Sequence, residues 1–337
     1  MTTPITTITK ALVVTAAVAL LAACGGGSDG DKAKTGTLKL GITDAPVDHA
    51  LEVNVQFTGV ELKPVNGAPF SFDFTPAKNF DLLRLTGTTR AMLVDGVEIP
   101  AGDYEWIRLK VNADPNVAGD SYVVLEQGGG QCEIRIPSGD QTGLKLVRGF
   151  TVAVGAITDF TIDFDLRKSL VAPPGQTTTV GTCGNQAYLL KPVLRMVNNL
   201  QVGAISGTVD SNLISTECVS SATAPYPGNV YLFGPIEPGA ADATVMPDDY
   251  DGLASDPNGA DALVSAMVDR DTGNYTIGFL VPGRYKVAYT CDMDKTEVDA
   301  DLVTTPEETV DFTPVDGIAI NVTANAVTDV DFPPSAP

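Results

Sequence analysis

Histidine and tryptophan each occur once in this 337-residue chain, as His49 and Trp106. A nucleophilic triad needs a base beside its serine or cysteine. His49 stands just beyond the turn Asp44-Ala45-Pro46, where a side chain is normally exposed or locally bonded, so no histidine-based catalysis is expected. Basic residues are also few, 21 Lys plus Arg against 42 Asp plus Glu, for a formal charge of −21. A surface of that sign repels phosphate, which excludes nucleic acid as a partner. The five cysteines never lie close enough together for zinc-ligand spacing. No apolar run approaches the ~20 residues that a membrane-spanning helix requires.

One shorter apolar run is present. Ala11 to Ala22 follows the lone basic residue Lys10 and closes on Leu21-Ala22-Ala23-Cys24. This arrangement resembles a bacterial lipoprotein signal peptide, with an apolar core of the secretory length and small residues before the cut. The resemblance implies removal of residues 1–23, with lipid on the thiol and new amino terminus of Cys24. Attachment to the membrane would then pass through the acyl chains. In a Gram-negative organism, Gly25 in place of Asp after the lipidated cysteine resembles the signal for transport to the outer membrane, with either leaflet open. Residues 24–35 hold four glycines and, after Cys24, no apolar residue larger than alanine, and read as a flexible tether. Four cysteines remain, Cys132, Cys183, Cys218 and Cys291, an even number that suggests two disulfides in an exported chain. Three pairings are open. Cys132 with Cys183 and Cys218 with Cys291 are favoured because each pair would staple one domain.

Charge marks the domain division. Residues 36–200 hold 14 Lys plus Arg against 18 Asp plus Glu, a net of −4. Residues 201–337 hold 4 against 22, a net of −18. Both regions show a two-residue apolar period. In the N-terminal region it runs through Leu51, Val53, Val55 and Phe57; Ile107, Leu109 and Val111; Cys132, Ile134 and Ile136; Phe160, Ile162, Phe164 and Leu166. In the C-terminal region it returns in Tyr275, Ile277 and Phe279, then in Tyr285, Val287 and Tyr289. The best helix candidate runs from Phe80 to Val94, weakened by Gly87 and two threonines. With 33 glycines and 23 prolines punctuating short strands, an all-β protein of two antiparallel β-sandwich domains is expected. Pro100-Ala101-Gly102-Asp103-Tyr104 and Pro282-Gly283-Arg284-Tyr285 each lead into an alternating strand and suggest a shared device.

Residues 36–200 carry Gly41-Ile42-Thr43-Asp44-Ala45-Pro46 and Ile99-Pro100-Ala101-Gly102-Asp103-Tyr104 with Ile107-Arg108-Leu109. They also carry Ile136 to Leu146, Asp163-Phe164-Asp165-Leu166-Arg167-Lys168-Ser169, and Tyr188 to Arg195. On these motifs the segment resembles a bacterial family known only as domain of unknown function 4382. That family implies an envelope lipoprotein and supplies no catalytic residue. Residues 201–337 resemble carboxypeptidase-regulatory-like sandwiches of the carbohydrate-binding-like fold. The resemblance rests on Gly203 to Val209, Asn229-Val230-Tyr231-Leu232, and Asp271 to Ile277 with Val281 to Val287. It implies a spacer or binding unit.

Three groups of residues are candidates for chemistry. Asp163 and Asp165 share one strand face, as a glycan hydrolase with paired carboxylates would need, although Arg167 and Lys168 suggest charge balance. Asp269-Arg270-Asp271-Thr272-Gly273-Asn274 resembles the start of a calcium loop, supplemented by Asp248, Asp249 and Asp251; Leu280 stands where an EF-hand has its glutamate, and a hairpin turn is the favoured alternative. Trp106 falls on the face with Arg108 and Lys110 and is the candidate platform for a sugar, whereas Phe70, Phe72 and Phe74 read as core. The expected function is a non-catalytic binding or structural role at the cell envelope, with a carbohydrate or an envelope protein as partner and no cofactor other than calcium. A glycan hydrolase and a calcium-stabilised spacer are the alternatives.

Overall fold

The computed structural model describes residues 34–45, 50–114, 120–125, 131–136, 143–171, 187–191, 193–218, 227–239, 262–292 and 311–333. The fold is all-β. The N-terminal region has two sheets. Its smaller sheet has the order β13 (Leu194–Asn198), β10 (Ile157–Asp165), β1 (Thr35–Ala45), β4 (Ala91–Pro100). The larger has the order β11 (Leu170–Val171), β12 (Tyr188–Leu190), β7 (Gln131–Arg135), β6 (Tyr122–Leu125), β2 (Ala50–Pro64), β5 (Gly102–Asn112), β8 (Leu144–Leu146). Strand β3 (Phe70–Asp81) pairs with β2, and β9 (Phe150–Val152) with β5. In the C-terminal region β17 (Asn274–Leu280), β14 (Gly203–Thr208) and β20 (Val327–Asp329) form a three-stranded sheet. A four-stranded sheet has the order β16 (Ala262–Met267), β15 (Asn229–Ile236), β18 (Gly283–Thr290), β19 (Thr313–Val322).

The expectation of purely antiparallel sheets is corrected at three places. β1 runs parallel to β10, β12 to β7 and β14 to β20, each pair joining strands far apart in sequence. A parallel partner needs a long crossover, which strand periodicity alone does not reveal.

Most of the apolar alternation is buried as expected, and the exceptions have local causes. Val53, Val55 and Phe57 are fully buried, but from Val60 and Leu62 onward the even positions point inward. A bulge between Phe57 and Gly59 shifts the register against both β3 and β5 and so reverses the faces. Gly59 is required there, since a Cβ would lie 2.6 Å from the carbonyl oxygen of Phe72. Leu51, expected in the core, is 60% exposed. In β17, Phe279 takes a left-handed backbone (φ 53°), and Leu280 enters the core in its place. The proposed helix from Phe80 to Val94 is instead the end of β3, a 3-10 turn at Leu82–Arg84 and the start of β4. Gly87 between them adopts φ +64°, which no helix accommodates.

The two Pro-Gly-Tyr segments do share a device. Tyr104 donates its hydroxyl to the Pro100 carbonyl at 2.8 Å, and Tyr285 to the Val281 carbonyl at 2.8 Å, each spanning four residues with the ring buried. Such tyrosine corners fix the approach of a strand to its sandwich.

Apolar side chains collect in one core from Leu38 to Met196 and another from Ile205 to Phe332. Phe70, Phe72 and Phe74 pack against the first. β15 is buried on both faces: Val230 and Leu232 join the second core, while Tyr231 and Phe233 pack with Ala262, Ala288 and Phe312. The two regions are in contact, and residues 34–337 form one unit. The loop Thr86 to Thr89 lies so close to β17 that a Cβ on Gly278 would fall 2.2 Å from the Gly87 carbonyl oxygen. Elsewhere between the regions, the Lys168 ammonium donates to the Ala262 carbonyl.

Candidate functional site

The paired carboxylates come first, because they are the residues on which an enzymatic reading would rest. Asp163 is buried in β10, where its Oδ2 accepts from both Nε and Nη2 of Arg195 on the neighbouring strand β13. Asp165 ends β10 and caps the short helix Leu166–Ser169, accepting from the Lys168 amide at 3.3 Å and pairing with the Lys168 ammonium at 3.4 Å. Burial pushes the Asp165 carboxyl above the ordinary range; the Lys168 ammonium opposes this and the Asp163 carboxylate adds to it. A raised carboxyl is what a general acid needs. Here, however, each carboxylate already has its own cation, and the expectation of charge balance holds with Arg195 joining Lys168. These contacts tie Asp163 to β13 and Asp165 to the short helix that follows β10.

The Asp269–Asn274 segment is a turn between β16 and β17. Asp269 Oδ1 accepts from the amides of Asp271 (3.1 Å) and Thr272 (2.8 Å) and from the Thr272 hydroxyl (2.7 Å). These bonds hold its carboxyl below the ordinary range, the Thr272 hydroxyl contributing most. Gly273 supplies a φ of +73°, and its absent side chain leaves room for the Val209 carbonyl. Among the described residues no three His, Cys, Asp or Glu side chains come together as a metal site. Asp248, Asp249 and Asp251 lie outside the described residues, as do His49, Cys24 and Cys183.

Cys218 and Cys291 form a disulfide with a Cα–Cα distance of 5.1 Å, closing a separation of 73 residues. The buried Tyr289 hydroxyl lies 3.1 Å from each sulfur and donates to the Pro227 carbonyl at 3.0 Å. Cys132 is also disulfide-bonded.

Trp106 sits on the outward face of β5, opposite the fully buried Ile107 and Leu109. The Arg108 guanidinium carbon is 4.8 Å from the indole centroid and the Lys145 ammonium, from β8, is 4.5 Å from it. Beyond Trp106 the same face continues as a polar track. Arg108 pairs with Glu61 (2.6 Å) and Lys110 with Asp73 (2.6 Å). Asn112 then donates to Gln56 (2.7 Å), which donates to Asn79 (3.0 Å). Four outward positions on one strand span about 20 Å at ~3.3 Å per residue. Arg108 and Lys110 were legible as neighbours of Trp106 from the two-residue period; Lys145 was not, because β8 reaches the site only through its pairing with β5.

A second concavity, unanticipated from sequence, lies where the two regions meet. It is a cleft of about 670 Å³ bordered by Leu51, Leu83, Thr86, Thr88, Met267 and Thr276. Several hydroxyls and one carboxylate, Asp269, line it, and among the described residues no Lys or Arg does.

Residues 35–192 match the family described as Domain of unknown function (DUF4382). The matched segment ends within the N-terminal region and contains Trp106, Arg108, Lys145, Asp163 and Asp165; Arg195 lies just beyond it. No curated protein matches the chain. Among solved structures, the Bacillus anthracis TIE protein is 8% identical with a TM-score of 0.18, covering 88% of this chain and 34% of its own. This chain thus spans about a third of that protein. The minor pilin GBS52 of Streptococcus agalactiae is 9% identical with a TM-score of 0.17, covering 87% of this chain and 94% of its own. BcpA, the major pilin subunit of Bacillus cereus, is 9% identical with a TM-score of 0.16, covering 89% and 99%. Similarity at this level leaves the architecture to be read from the strand pairing itself.

Proposed function

We propose that this is an exported, lipid-anchored protein of the cell envelope, held at the outer membrane, whose folded region binds carbohydrate without catalysis. The observation that carries the reading is the outward face of β5. It places an aromatic ring, ion pairs and an amide ladder in one line on a rigid sheet, the arrangement expected of a surface that recognises an extended polar chain. The anchoring rests on the sequence Leu21-Ala22-Ala23-Cys24. The hydrolase reading is weaker, because Asp163 and Asp165 are occupied by Arg195 and Lys168.

The test is a glycan-array screen of the purified protein, run with calcium and with chelator, alongside turnover assays on labelled polysaccharides. Saturable binding without turnover is expected. Turnover that disappears in Asp163→Asn or Asp165→Asn would replace this reading with the hydrolase, and silence across all glycans would remove the carbohydrate. Palmitate labelling of cells, lost in Cys24→Ser, tests the anchor independently.

A further inference from the structure

The surroundings of Trp106 break a rule that sheets ordinarily keep. Arg108 on β5 and Lys145 on β8 are directly opposed partners in the antiparallel register. Like charges in that position repel, and a fold under no other constraint avoids them. The chain has only 21 basic residues for a net charge of −21, so the pairing is not a by-product of a basic composition. Both cations also converge on the one tryptophan, at 4.8 and 4.5 Å from its centroid.

Their hydrogen-bonding capacity is largely unused. Arg108 engages Glu61 through Nη1, while its Nε is buried without an acceptor. An unsatisfied donor of this kind calls for an explanation. Among the described residues Lys145 has no carboxylate partner, and its ammonium rests on the indole alone. The neighbouring cations differ: Lys110 is held by Asp73 at 2.6 Å, and Lys63 faces Glu105 at 3.8 Å. Surplus positive charge therefore gathers at one end of the polar track, beside an aromatic ring.

We infer that Trp106, Arg108 and Lys145 form a subsite for an acidic sugar, a pyranose bearing a carboxylate, within a longer glycan lying along β5. The inference rests on the carbohydrate reading above and narrows it to one class of ligand. The indole offers a flat apolar surface for the C–H face of the sugar ring, and a tryptophan has little side-chain entropy to lose on binding. The carboxylate meets the Lys145 ammonium and lies beside the positive charge of the Arg108 guanidinium, whose Nη1 stays on Glu61. Lys145 is the movable element: its flexible stem lets the ammonium leave the ring, so a weak cation–π contact gives way to a stronger charge-assisted hydrogen bond and the ring face is uncovered. The guanidinium is fixed by Glu61 and keeps its place.

Because Trp106 is the only tryptophan, its emission reports this subsite and no other. The experiment titrates the purified protein with oligogalacturonate, with neutral oligogalactose of the same length, and with vesicles of phosphatidylglycerol in phosphatidylcholine. Oligogalacturonate should change the emission saturably and bind about tenfold or more tighter than the neutral oligomer, an advantage that shrinks as salt is added. Lys145→Gln should weaken binding about tenfold with unchanged thermal melting, since the lysine supports no other described contact. Trp106→Ala, followed by calorimetry, should weaken the acidic and the neutral oligomer alike, because the C–H face that stacks on the indole is common to both.

Oligogalacturonate binding that is unaltered in both Lys145→Gln and Trp106→Ala would overturn the subsite. Neutral glycan binding with constant emission and no acidic preference would also overturn it, leaving the carbohydrate reading intact. No binding of any glycan would sink both. A response to the anionic vesicles with none to oligogalacturonate would assign the cations to lipid headgroups and refute the sugar.

Discussion

Replacing Gly278 with alanine probes whether the two regions of the chain act as one folded unit. The new Cβ would lie 2.2 Å from the carbonyl oxygen of Gly87, 2.8 Å from its carbonyl carbon and 3.2 Å from the Cα of Thr88. All three are backbone atoms, so no side-chain rotation relieves the overlap. Carbon contacts are comfortable only near 3.5–4.0 Å, so the Thr86 to Thr89 loop must retreat by more than about 1 Å or β17 must bend. Overpacking of this kind costs roughly 1–3 kcal/mol. At about 2–4 °C per kcal/mol, the slope for domains of some 150–250 residues, melting should fall by roughly 2–12 °C. The useful reporter is Trp106, which lies in the N-terminal region, while Gly278 lies in the C-terminal one. Urea unfolding followed by Trp106 emission and by far-ultraviolet circular dichroism should show both midpoints displaced together. A Trp106 midpoint that stays in place while the dichroism midpoint falls would mean that the seam transmits nothing, and the reasoning would fail.

Other perturbations test individual contacts. Asp163→Asn removes the carboxylate held by Arg195 and leaves a largely buried guanidinium uncompensated, so chemical denaturation should show a loss of roughly 3 kcal/mol; wild-type stability would refute the structural role. Asp159 is opposed by burial but held below the ordinary carboxylate range by hydrogen bonds from Arg90 and Asn199. A depressed carboxyl contributes stability that is complete above its unfolded pKa of about 3.9 and is lost as pH falls through its lower folded value. Asp159→Asn should therefore be less stable than wild type at neutral pH and should lose less on acidification, read as a flatter acid limb in melting temperature against pH. Replacing Cys218 and Cys291 by serine opens a 73-residue separation, for which chain entropy gives a loss of about 4 kcal/mol, measurable by denaturation under oxidising conditions.

The sequence disclosed more of the strand interior than of the strand neighbours. Ile107 and Leu109, or Val287 and Tyr289, are buried because a two-residue period has only one inward face, and that follows from composition along the strand. At Gly59 the period itself changes phase, and the cause is an extra residue opposite β3 and β5, visible only once those strands are paired. The segment from Phe80 to Val94 deceived for a related reason. Its apolar residues serve a strand, a 3-10 turn and another strand in succession, so a single helical period fits them by coincidence. At the candidate site, Arg108 could be placed beside Trp106 by counting two residues along β5. Lys145 required knowing that β8 pairs with β5 and in what register. The cleft near Leu51 and Met267 depends on contact between distant segments and left no local signal.

The charge asymmetry gains a physical meaning from these placements. In the C-terminal region, several described carboxylates are fixed by hydrogen bonds from the backbone: Asp269 caps its turn, Asp210 accepts from the Asn212 amide at 2.7 Å, and Asp331 accepts from the Thr208 amide at 2.8 Å and hydroxyl at 2.7 Å. Bonds to the Thr272 and Thr208 hydroxyls, with backbone amides, hold Asp269 and Asp331 below the ordinary carboxylate range. Such groups stay negative as pH falls toward the carboxylate range, so this region remains repulsive to any acidic polymer. The Trp106 face belongs to the region with the smaller net charge, where two opposed cations outweigh their local carboxylates. With a screening length of about 8 Å at physiological salt, each field acts mainly on what lies directly before it. If the proposed acidic-sugar subsite holds, such a glycan would be repelled by the C-terminal region and attracted at the N-terminal one, so the acidic half would help to orient it without binding it.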